Sequence, residues 1–463
     1  MKSFDLIREC QRLIAIDSVT RTGSIHIANH LISLVKEFGL DLHTQLQSTT
    51  FEGVDQVNII FHKGTKDGDA FVWNCHLDTV DPGDTSLWTE GGPLSGVIKD
   101  DRIYGLGSAD TKLGIICMLK ALSFYIGKPF KVPFYLVGTC CEEVGLFGVR
   151  ELMKSPPFKP KFVINTEPSE LQIVYAHKGL FAVEITLESE KTAQVEGNLY
   201  RIQFFGKSAH SSSPHLGKNA IVMGLNYLLH HPELDVATVQ GGTVMNKIPE
   251  SCVMDVVAPK EPLPPEDGKV TYIGKGSTSV HPKEVLESLL ALFKEYLKVS
   301  KELENEEPDV RFTPARPTTD LPILRDEGTR INLNWGFRRL PRTSADFTES
   351  KISSSCESVR TRHPSIGTSY KIVRNSHPFE TAASSPLIKT SQKALHKLGL
   401  SDTLVTKAAS SEASVYSAHG ADVIVIGPGR SEGNVHSPNE FNTLSQLELA
   451  VKYYRSMIEG FLV

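Results

Sequence analysis

The chain has 463 residues, and its 49 Lys and Arg residues against 54 Asp and Glu residues leave a net charge of −5. This length suggests two or three domains, and the 40% hydrophobic and 22% charged residues are ordinary globular values that exclude disorder and collagen-like repeats. Because the balance is slightly acidic, the sequence offers no basic surface, and we expect no nucleic-acid partner.

The cysteines and the N-terminal residues bear on the cellular compartment. Seven cysteines, an odd number without regular spacing, do not form a disulfide framework and are typical of a reduced protein. The first residues run directly into an amphipathic helix pattern, without the apolar block of a signal peptide. No window approaches about 18 uninterrupted apolar residues, so no membrane span is expected. These features predict a soluble cytoplasmic protein without a membrane partner.

Helix and strand patterns alternate in the first part of the chain. Residues 4–14 and 27–35 have apolar residues at helical spacing, and residues 115–125 predict a third helix, capped by Asp110 or Thr111. Short apolar runs without alternation lie at 71–75, 132–137, 162–164 and, much later, 423–426. Such runs fit strands buried on both faces. The order predicts an α/β sheet covered by helices.

From about residue 175 the pattern changes. The sequence predicts strands at 181–187, 200–205, 244–257, 330–337 and 369–373, and helices at 220–229, 282–306 and near 346–360. Residues 258–269 are Pro-rich and charged, which indicates a surface loop. Buried helix and strand patterns then return. We therefore predict an α/β domain of residues 1–175 and 373–463, interrupted by an α+β domain of residues 176–372.

Acidic and imidazole side chains follow the predicted buried strands of the α/β domain. In an open α/β sheet, ligands collect outside the carboxyl ends of the strands. Residues that are far apart in sequence can therefore meet in one crevice. The candidates are His76, Asp78, Asp110, Glu142, Glu143, Glu167 and His436.

This set of side chains favours a divalent metal site. Two histidines and several carboxylates, without cysteines at ligand spacing, suit catalytic zinc, cobalt or manganese. Two ions are accommodated if Asp110 bridges them and the other ligands are His76, Glu143, Glu167 and His436. Asp78 would then hold the second nitrogen of His76, and Glu142 would act as general base.

Five motifs in a fixed order carry a resemblance to a known family. They are His76-Leu-Asp78, Gly105-Leu-Gly107-Ser-Ala-Asp110-Thr-Lys112, Glu142-Glu143-Val-Gly145, Glu167-Pro168 and His436-Ser-Pro-Asn-Glu440. The chain resembles the acetylornithine deacetylase and succinyl-diaminopimelate desuccinylase family of di-zinc amidohydrolases, which includes aminoacylases and glutamate carboxypeptidases. The resemblance covers nearly the whole chain. It implies the same metal ligands, the bridging Asp110 and the base Glu142.

The resemblance also implies a fold and roles for the inserted domain. The fold would be a zinc-exopeptidase-like catalytic domain with a mixed, mostly parallel sheet, interrupted by an α+β lid and dimerisation domain. His210 would reach the active site of a partner subunit, and Asn246 and Arg338 would hold the substrate carboxylate. Two departures concern substrate choice. Residues 258–329 are longer than is usual in the family, and Gly336 stands where an Asp commonly precedes the Phe-Arg pair.

The resemblance implies a zinc-dependent hydrolase of the amide bond of a small N-acyl amino acid. Deacetylation of an N-acetylornithine-like compound, as in arginine biosynthesis, is the first choice. The alternatives are a dipeptidase or carboxypeptidase, a desuccinylase, or a non-catalytic binding protein on this fold. Two Zn²⁺ ions, replaceable by Co²⁺ or Mn²⁺, would be the cofactors. A homodimer through the lid domain is also expected.

Two shorter patterns favour other enzymes but fail on inspection. Gly105-Leu-Gly107-Ser-Ala-Asp110 begins like a dinucleotide-binding loop, but its third glycine is replaced by an Asp that would repel a pyrophosphate. Gly429-Arg-Ser431-Glu-Gly433 matches the serine-hydrolase pattern, whose serine must open a helix. The residues that follow it, Asn-Val-His-Ser-Pro, do not readily begin one.

Overall fold

The computed structural model describes residues 4–189 and 192–463. The α-helices are α1 (Leu6–Ile14), α2 (Ile25–Glu37), α3 (Leu113–Leu122), α4 (Phe147–Lys154), α5 (Ala220–His230), α6 (Lys283–Glu304), α7 (Ala345–Arg362), α8 (Pro386–Lys397), α9 (Ala413–Ala418) and α10 (Leu444–Phe461). Short 3-10 helices lie at Thr85–Leu87, Ser123–Tyr125 and Pro214–Leu216.

The strands up to the middle of the chain are β1 (His43–Phe51), β2 (Val54–Lys63), β3 (Asp69–His76), β4 (Ile98–Lys99), β5 (Arg102–Tyr104), β6 (Phe134–Thr139), β7 (Lys159–Asn165), β8 (Ile173–His177), β9 (Gly179–Glu188), β10 (Ala193–Phe205) and β11 (Asp235–Gly241). The remaining strands are β12 (Ser251–Ala258), β13 (Gly268–Val280), β14 (Thr318–Asp320), β15 (Leu324–Asp326), β16 (Arg330–Arg339), β17 (Gly367–Ser376), β18 (Phe379–Glu380), β19 (Leu404–Lys407), β20 (Asp422–Val425) and β21 (Phe441–Thr443).

The chain divides into two compact units. The first unit contains the chain up to His177 together with Phe379–Thr406 and Ser410–Val463. The second unit contains Lys178–Pro378 and the short segment Lys407–Ala409. The chain therefore leaves the first unit after β8 and returns to it at β18.

The first unit is built on a mixed sheet with the strand order β1-β2-β6-β3-β7-β20-β8-β18, and β19 pairs with β8. Parallel pairing is confined to the four central strands, β6, β3, β7 and β20. The flanking strands are antiparallel, and β1 and β2 form a hairpin around a two-residue turn. The sheet is therefore mixed, as predicted. It is parallel only at its centre, however, and not over most of its width.

Both faces of this central sheet are covered by helices. Phe71 and Trp73 of β3 join the core formed with α1, α2, α3, α8 and α10. Val72, which points to the other face because side chains alternate along a strand, joins a core with α4 and α9. Apolar residues at consecutive positions of these strands are thus all buried, which explains why the sequence shows runs without alternation.

The second unit is an antiparallel sheet with the order β13-β10-β12-β11-β15-β16-β9-β17, and β14 pairs with β16. Helices α5, α6 and α7 bury one apolar core against it. The predicted strands at 181–187 and 200–205 correspond to β9 and β10, and each has a neighbour on both sides. They are therefore interior strands and do not offer the free edges that pairing with a second subunit would need, whereas the sheet order ends in β13 and β17.

Three local predictions differ from the structure. The strand predicted at 244–257 begins only at Ser251, because the residues before it form a loop between β11 and β12. The strand β13, which follows the Pro-rich loop, was not predicted. Helix α3 begins at Leu113 after Lys112 and has no side-chain cap, so neither Asp110 nor Thr111 caps it. Among the described residues, no helix combines the length and apolar character needed to cross a membrane.

Candidate metal centre

The candidate ligands lie at the carboxyl ends of neighbouring parallel strands. His76 is the last residue of β3, while Glu142 and Glu143 follow the end of β6 and Glu167 follows the end of β7. Because β6, β3 and β7 are adjacent and parallel, their ends bring these side chains to one edge of the sheet. Two loops complete the cluster: Asp110 precedes α3, and His436 lies between β20 and β21.

The six side chains form overlapping groups. His76, Asp110 and Glu167 have ligand atoms within 4.8 Å of one another, as do Asp110, Glu143 and His436. A third group contains His76, Glu142 and Glu143. The first two groups have Asp110 in common.

Asp110 presents its two oxygens to different imidazoles. Its Oδ1 lies 3.0 Å from Nε2 of His76, and its Oδ2 lies 3.2 Å from Nε2 of His436. The same nitrogen of His436 lies 3.1 Å from Oε1 of Glu143. His76 is buried, whereas the side chain of His436 is 38% exposed. The cluster therefore extends from the sheet to the protein surface.

The orientation of His76 is fixed by the main chain. Its Nδ1 donates a hydrogen bond to the carbonyl oxygen of Asp78 at 3.0 Å, which leaves Nε2 directed at the cluster. The carboxylate of Asp78 is 3.9 Å from the same nitrogen. The sequence predicts a hydrogen bond from His76 to the carboxylate of Asp78. In the structure the main-chain carbonyl of Asp78 accepts this hydrogen bond instead, because it lies nearer.

The buried carboxylate of Asp78 instead binds the loop after β6. Its Oδ1 accepts the main-chain N–H of Glu142 at 2.9 Å, and its Oδ2 accepts that of Glu143 at 3.2 Å. Thr20 donates a further hydrogen bond to Oδ2 at 3.2 Å. Asp78 therefore holds the backbone of the two glutamates in place.

Glu440 does the same for the loop that carries Asp110. Its buried carboxylate accepts three main-chain N–H groups, from Gly107 at 3.2 Å, Ala109 at 2.8 Å and Asp110 at 3.0 Å. Glu440 belongs to the same sequence motif as His436, but no role was predicted for it. Its partners are main-chain atoms, so apart from its position four residues after His436 nothing in the local sequence indicates this role.

A polar network lies in the sheet behind the cluster, and the sequence analysis does not anticipate it. Asn74 of β3 donates to Asn165 of β7 at 2.8 Å and to Glu412 at 2.5 Å. Thr139 of β6 donates to the same carboxylate at 2.9 Å. Burial raises the pKa of Glu412 to about 7. The network ties together the three strands that end in candidate ligands.

The backbone at the outer ligand is unusual. His436 has a φ of 56°, in the left-handed region that residues other than glycine seldom adopt. Such conformations persist where the surrounding structure holds them, and they cluster at functional sites. The contacts of His436 with Asp110 and Glu143 are consistent with that pattern.

The electrostatics of the cluster favour a cation. Burial alone would lower the pKa of His76, but its hydrogen bond to Asp110 and the charges of nearby carboxylates raise that pKa well above its usual value. For His436, burial is likewise outweighed by the hydrogen bonds to Asp110 and Glu143, which raise its pKa to about 11. The carboxylates thus outweigh the positive charge available from the protein, as in a site for divalent ions.

The remaining predicted residues lie in the second unit. His210 and Asn246 are exposed, and Arg338 on β16 is buried. Ser211, which the sequence analysis does not single out, links this group: its N–H donates to the carbonyl oxygen of Asn246 at 2.9 Å, and its Oγ accepts from Nη2 of Arg338 at 2.7 Å.

The imidazole of His210 is oriented by its own loop. The N–H of Ser212 donates to Nδ1 of His210 at 3.1 Å. Because Nδ1 accepts this hydrogen bond, a neutral ring carries its proton on Nε2, which makes Nε2 a hydrogen-bond donor.

Comparison with known proteins agrees with this architecture. Residues 72–460 match peptidase family M20/M25/M40. Acetylornithine deacetylase from Buchnera aphidicola subsp. Schizaphis graminum is 28% identical over 242 residues, which is 48% of this chain and 58% of the relative. The matched segment thus spans little more than half of that relative.

Solved structures match over almost the full length. An aminoacylhistidine dipeptidase from Vibrio alginolyticus superposes with a TM-score of 0.66 at 15% identity, covering 98% of this chain and 96% of that chain. An M20 family metallo-carboxypeptidase from Sulfolobus solfataricus gives a TM-score of 0.62 at 17% identity, covering 100% and 99%. At these identities the likeness shows the fold. With the family match over most of its length, the chain belongs to peptidase family M20/M25/M40.

Proposed function

We propose that the first unit binds two divalent metal ions, with Zn²⁺ as the resident metal and Co²⁺ or Mn²⁺ as substitutes. One ion would be held by His76, Asp110 and Glu167, and the other by Asp110, Glu143 and His436. The observation that carries this proposal is that two separate ligand groups have Asp110 in common. Nitrogen and carboxylate donors without cysteine suit these metals.

Glu142 is proposed as the general base. It belongs to the third group, with His76 and Glu143, and is not needed as a ligand in the other two. When bound, the ions would polarise the amide carbonyl and make water a stronger acid. Glu142 would take a proton from the attacking water and deliver it to the departing nitrogen. Asp78 would support this step by fixing the main chain at Glu142 and Glu143.

The proposed substrate is a small N-acyl amino acid whose carboxylate binds Arg338, with Asn246 beside it. Arg338 is buried, yet its Nε has no hydrogen-bond partner among the described residues. A buried guanidinium with an unused donor suits the planar, two-point recognition of a carboxylate. Relatives named acetylornithine deacetylase support an N-acetylornithine-like substrate.

Two alternatives within the family stay open. The Vibrio alginolyticus structure is described as a dipeptidase and the Sulfolobus solfataricus structure as a carboxypeptidase, and both share the fold. A desuccinylase would use the same metal site with a larger acyl group. The alternative of a non-catalytic binding protein is disfavoured. The chain belongs to this peptidase family and has all the candidate ligands together with Glu142.

A substrate screen tests the proposal. Purified protein with added Zn²⁺ or Co²⁺ is assayed against N-acetyl amino acids, N-succinyl amino acids and dipeptides, each paired with its carboxamide analogue. We expect hydrolysis of an N-acetyl amino acid and a large loss with the uncharged analogue. Full activity on the carboxamides would contradict the role of Arg338. Turnover of dipeptides or succinyl compounds alone would select one of the alternatives.

A further inference from the structure

Position 336 is where this chain departs from the pattern that it otherwise resembles. Gly336 and Arg338 are two residues apart on β16, so they lie on the same face of the sheet. A side chain at position 336 would therefore neighbour the guanidinium. Glycine supplies none.

A carboxylate from a different strand occupies this space. Strand β14 pairs antiparallel with β16, with Asp320 opposite Gly336 and Thr318 opposite Arg338. A Cβ atom added to Gly336 would lie 2.5 Å from Oδ1 of Asp320, closer than such atoms approach. A side chain at position 336 would thus displace the carboxylate of Asp320 from this space.

The short strand β14 is held firmly in this register. The hydroxyl of Thr319 donates to the carbonyl oxygen of Gly336 at 2.8 Å. The indole Nε1 of Trp335 donates to the hydroxyl of Thr319 at 2.7 Å, and the indole is fully buried. The placement of Asp320 is therefore a property of the packed sheet.

Asp320 and Arg338 are both buried, with 5% and 4% of their surface exposed. Burial raises the pKa of Asp320 to about 7, although the positive charge of Arg338 opposes that rise. A buried charge without a counter-charge is strongly unfavourable. Oδ2 of Asp320 and Nε of Arg338 have no hydrogen-bond partner within the described ranges. No hydrogen bond joins the two side chains within those ranges, so the carboxylate acts on the guanidinium through its charge and leaves Nε unused.

We propose that Asp320 is the counter-charge and positioning residue of Arg338, supplied by β14 in the space that Gly336 leaves open. The carboxylate keeps the guanidinium charged and oriented, while Nε stays available for the carboxylate of an N-acyl amino acid. This inference rests on the proposed function of Arg338. It assigns a substrate-positioning role to β14, which lies within the segment 258–329.

Relocating the carboxylate tests this inference. Asp320→Gly removes it, and the double substitution Asp320→Gly with Gly336→Asp returns it from the other strand. The substrate is the N-acetyl amino acid that the unmodified protein hydrolyses fastest. For Asp320→Gly we expect KM to rise about 10-fold or more, because the guanidinium loses its buried counter-charge, with kcat within about threefold. The double variant should recover most of the KM, which a purely structural role would not produce.

Thermal unfolding of Asp320→Asn provides a measurement without substrate. In the otherwise unmodified protein, Asp320→Asn should lower the midpoint temperature of unfolding. In the Arg338→Met background the same substitution should change that temperature little, because the positive charge of Arg338 is then absent. Equal losses in both backgrounds, or an unchanged KM for Asp320→Gly, would overturn the inference. A folded double variant whose KM stays as high as that of Asp320→Gly would also overturn the inference.

The same experiments separate this inference from the proposed function. If Arg338→Met leaves KM unchanged, Arg338 does not bind the substrate and the proposed function is wrong at that point. If Arg338→Met raises KM but Asp320→Gly does not, Arg338 binds substrate without help from Asp320. In that case only the inference fails.

Discussion

At the scale of single residues, the chemistry depends on which carboxylates are ligands and which is the base. Glu142 and Glu143 share the ligand group that contains His76, but only Glu143 also belongs to the group with Asp110 and His436. Glu143 contacts His436, and Glu142 joins only the group that contains His76 and Glu143. Their adjacent main-chain N–H groups bind the two oxygens of Asp78. This arrangement supports different tasks for the two side chains.

Replacing Glu142 by Gln tests the proposed base. Glutamine has the same size but cannot take up a proton at neutral pH, so turnover should fall by about 10²- to 10⁴-fold. Metal content should stay unchanged, because Glu142 is not a proposed ligand. Turnover and elemental analysis are measured on the same preparation. Glu448→Gln, at an exposed position of α10, is the matched control. Near-normal turnover with full metal content would refute the assignment.

The candidate ligands could be predicted from sequence, but their supporting contacts could not. His76, Glu143 and Glu167 follow strands whose apolar runs are visible in the sequence, and parallel strand ends meet at one edge. Asp78 contacts main-chain atoms of residues more than 60 positions away, and any residue type could supply those atoms. Its predicted contact with His76 was therefore wrong in detail.

At the scale of elements, buried carboxylates hold the loops that carry the ligands. Glu440 binds three main-chain N–H groups of the loop before α3. That loop depends on Gly107, whose φ of 79° and contact with the Lys112 side chain exclude a Cβ. The glycines that resemble a dinucleotide motif thus shape the Asp110 loop.

Replacing Glu440 by Gln tests how much this loop matters for the metal. One acceptor oxygen becomes an NH₂ group that faces main-chain donors, so the position of Asp110 should loosen. We expect metal affinity to fall by about 10- to 100-fold, as when residues that support ligands are changed. Competition with a chelator measures the affinity, again with Glu448→Gln as control. An affinity equal to that of the unmodified protein would show that the loop holds its shape without Glu440.

The strands of the second unit show where sequence patterns lose information. β13 is rich in glycine, lysine, serine and threonine, has few apolar residues and is largely exposed, so no sustained apolar alternation reveals it. It forms because it pairs with β10 along most of its length. The pairing of Asp320 with Gly336 could not be predicted from the sequence either. The two residues lie on separate strands, and their register is set only in the folded sheet.

At the scale of the whole molecule, the second unit carries a candidate hydrogen-bond donor for the reaction, His210. His210 lies in a polar, exposed loop, and its Nδ1 accepts a hydrogen bond from Ser212, which makes Nε2 a donor. The family resemblance implies that this donor stabilises the reaction at a partner subunit. Because β9 and β10 are interior strands, a dimer built by edge pairing would use an edge strand such as β13 or β17 instead.

Subunit exchange tests the role of His210. Loss of one donor to a developing oxyanion typically costs about 10²- to 10³-fold in turnover, so His210→Ala should be nearly inactive but fully loaded with metal. Mixing it with inactive Glu142→Gln should restore part of the activity, because one hybrid site then contains both original groups. Exchange is verified with two differently tagged chains. A mixture that stays inactive despite exchange, or a fully active monomer, would exclude action across an interface.

The central claim is that two metal ions share Asp110. Elemental analysis of the purified protein and of two variants tests it most directly. The unmodified chain should contain two ions, His436→Ala should lose mainly one, and Asp110→Ala should lose both, because Asp110 belongs to both ligand groups. Two tightly held ions in folded Asp110→Ala, or a single ion in the unmodified protein at saturating metal, would contradict the account.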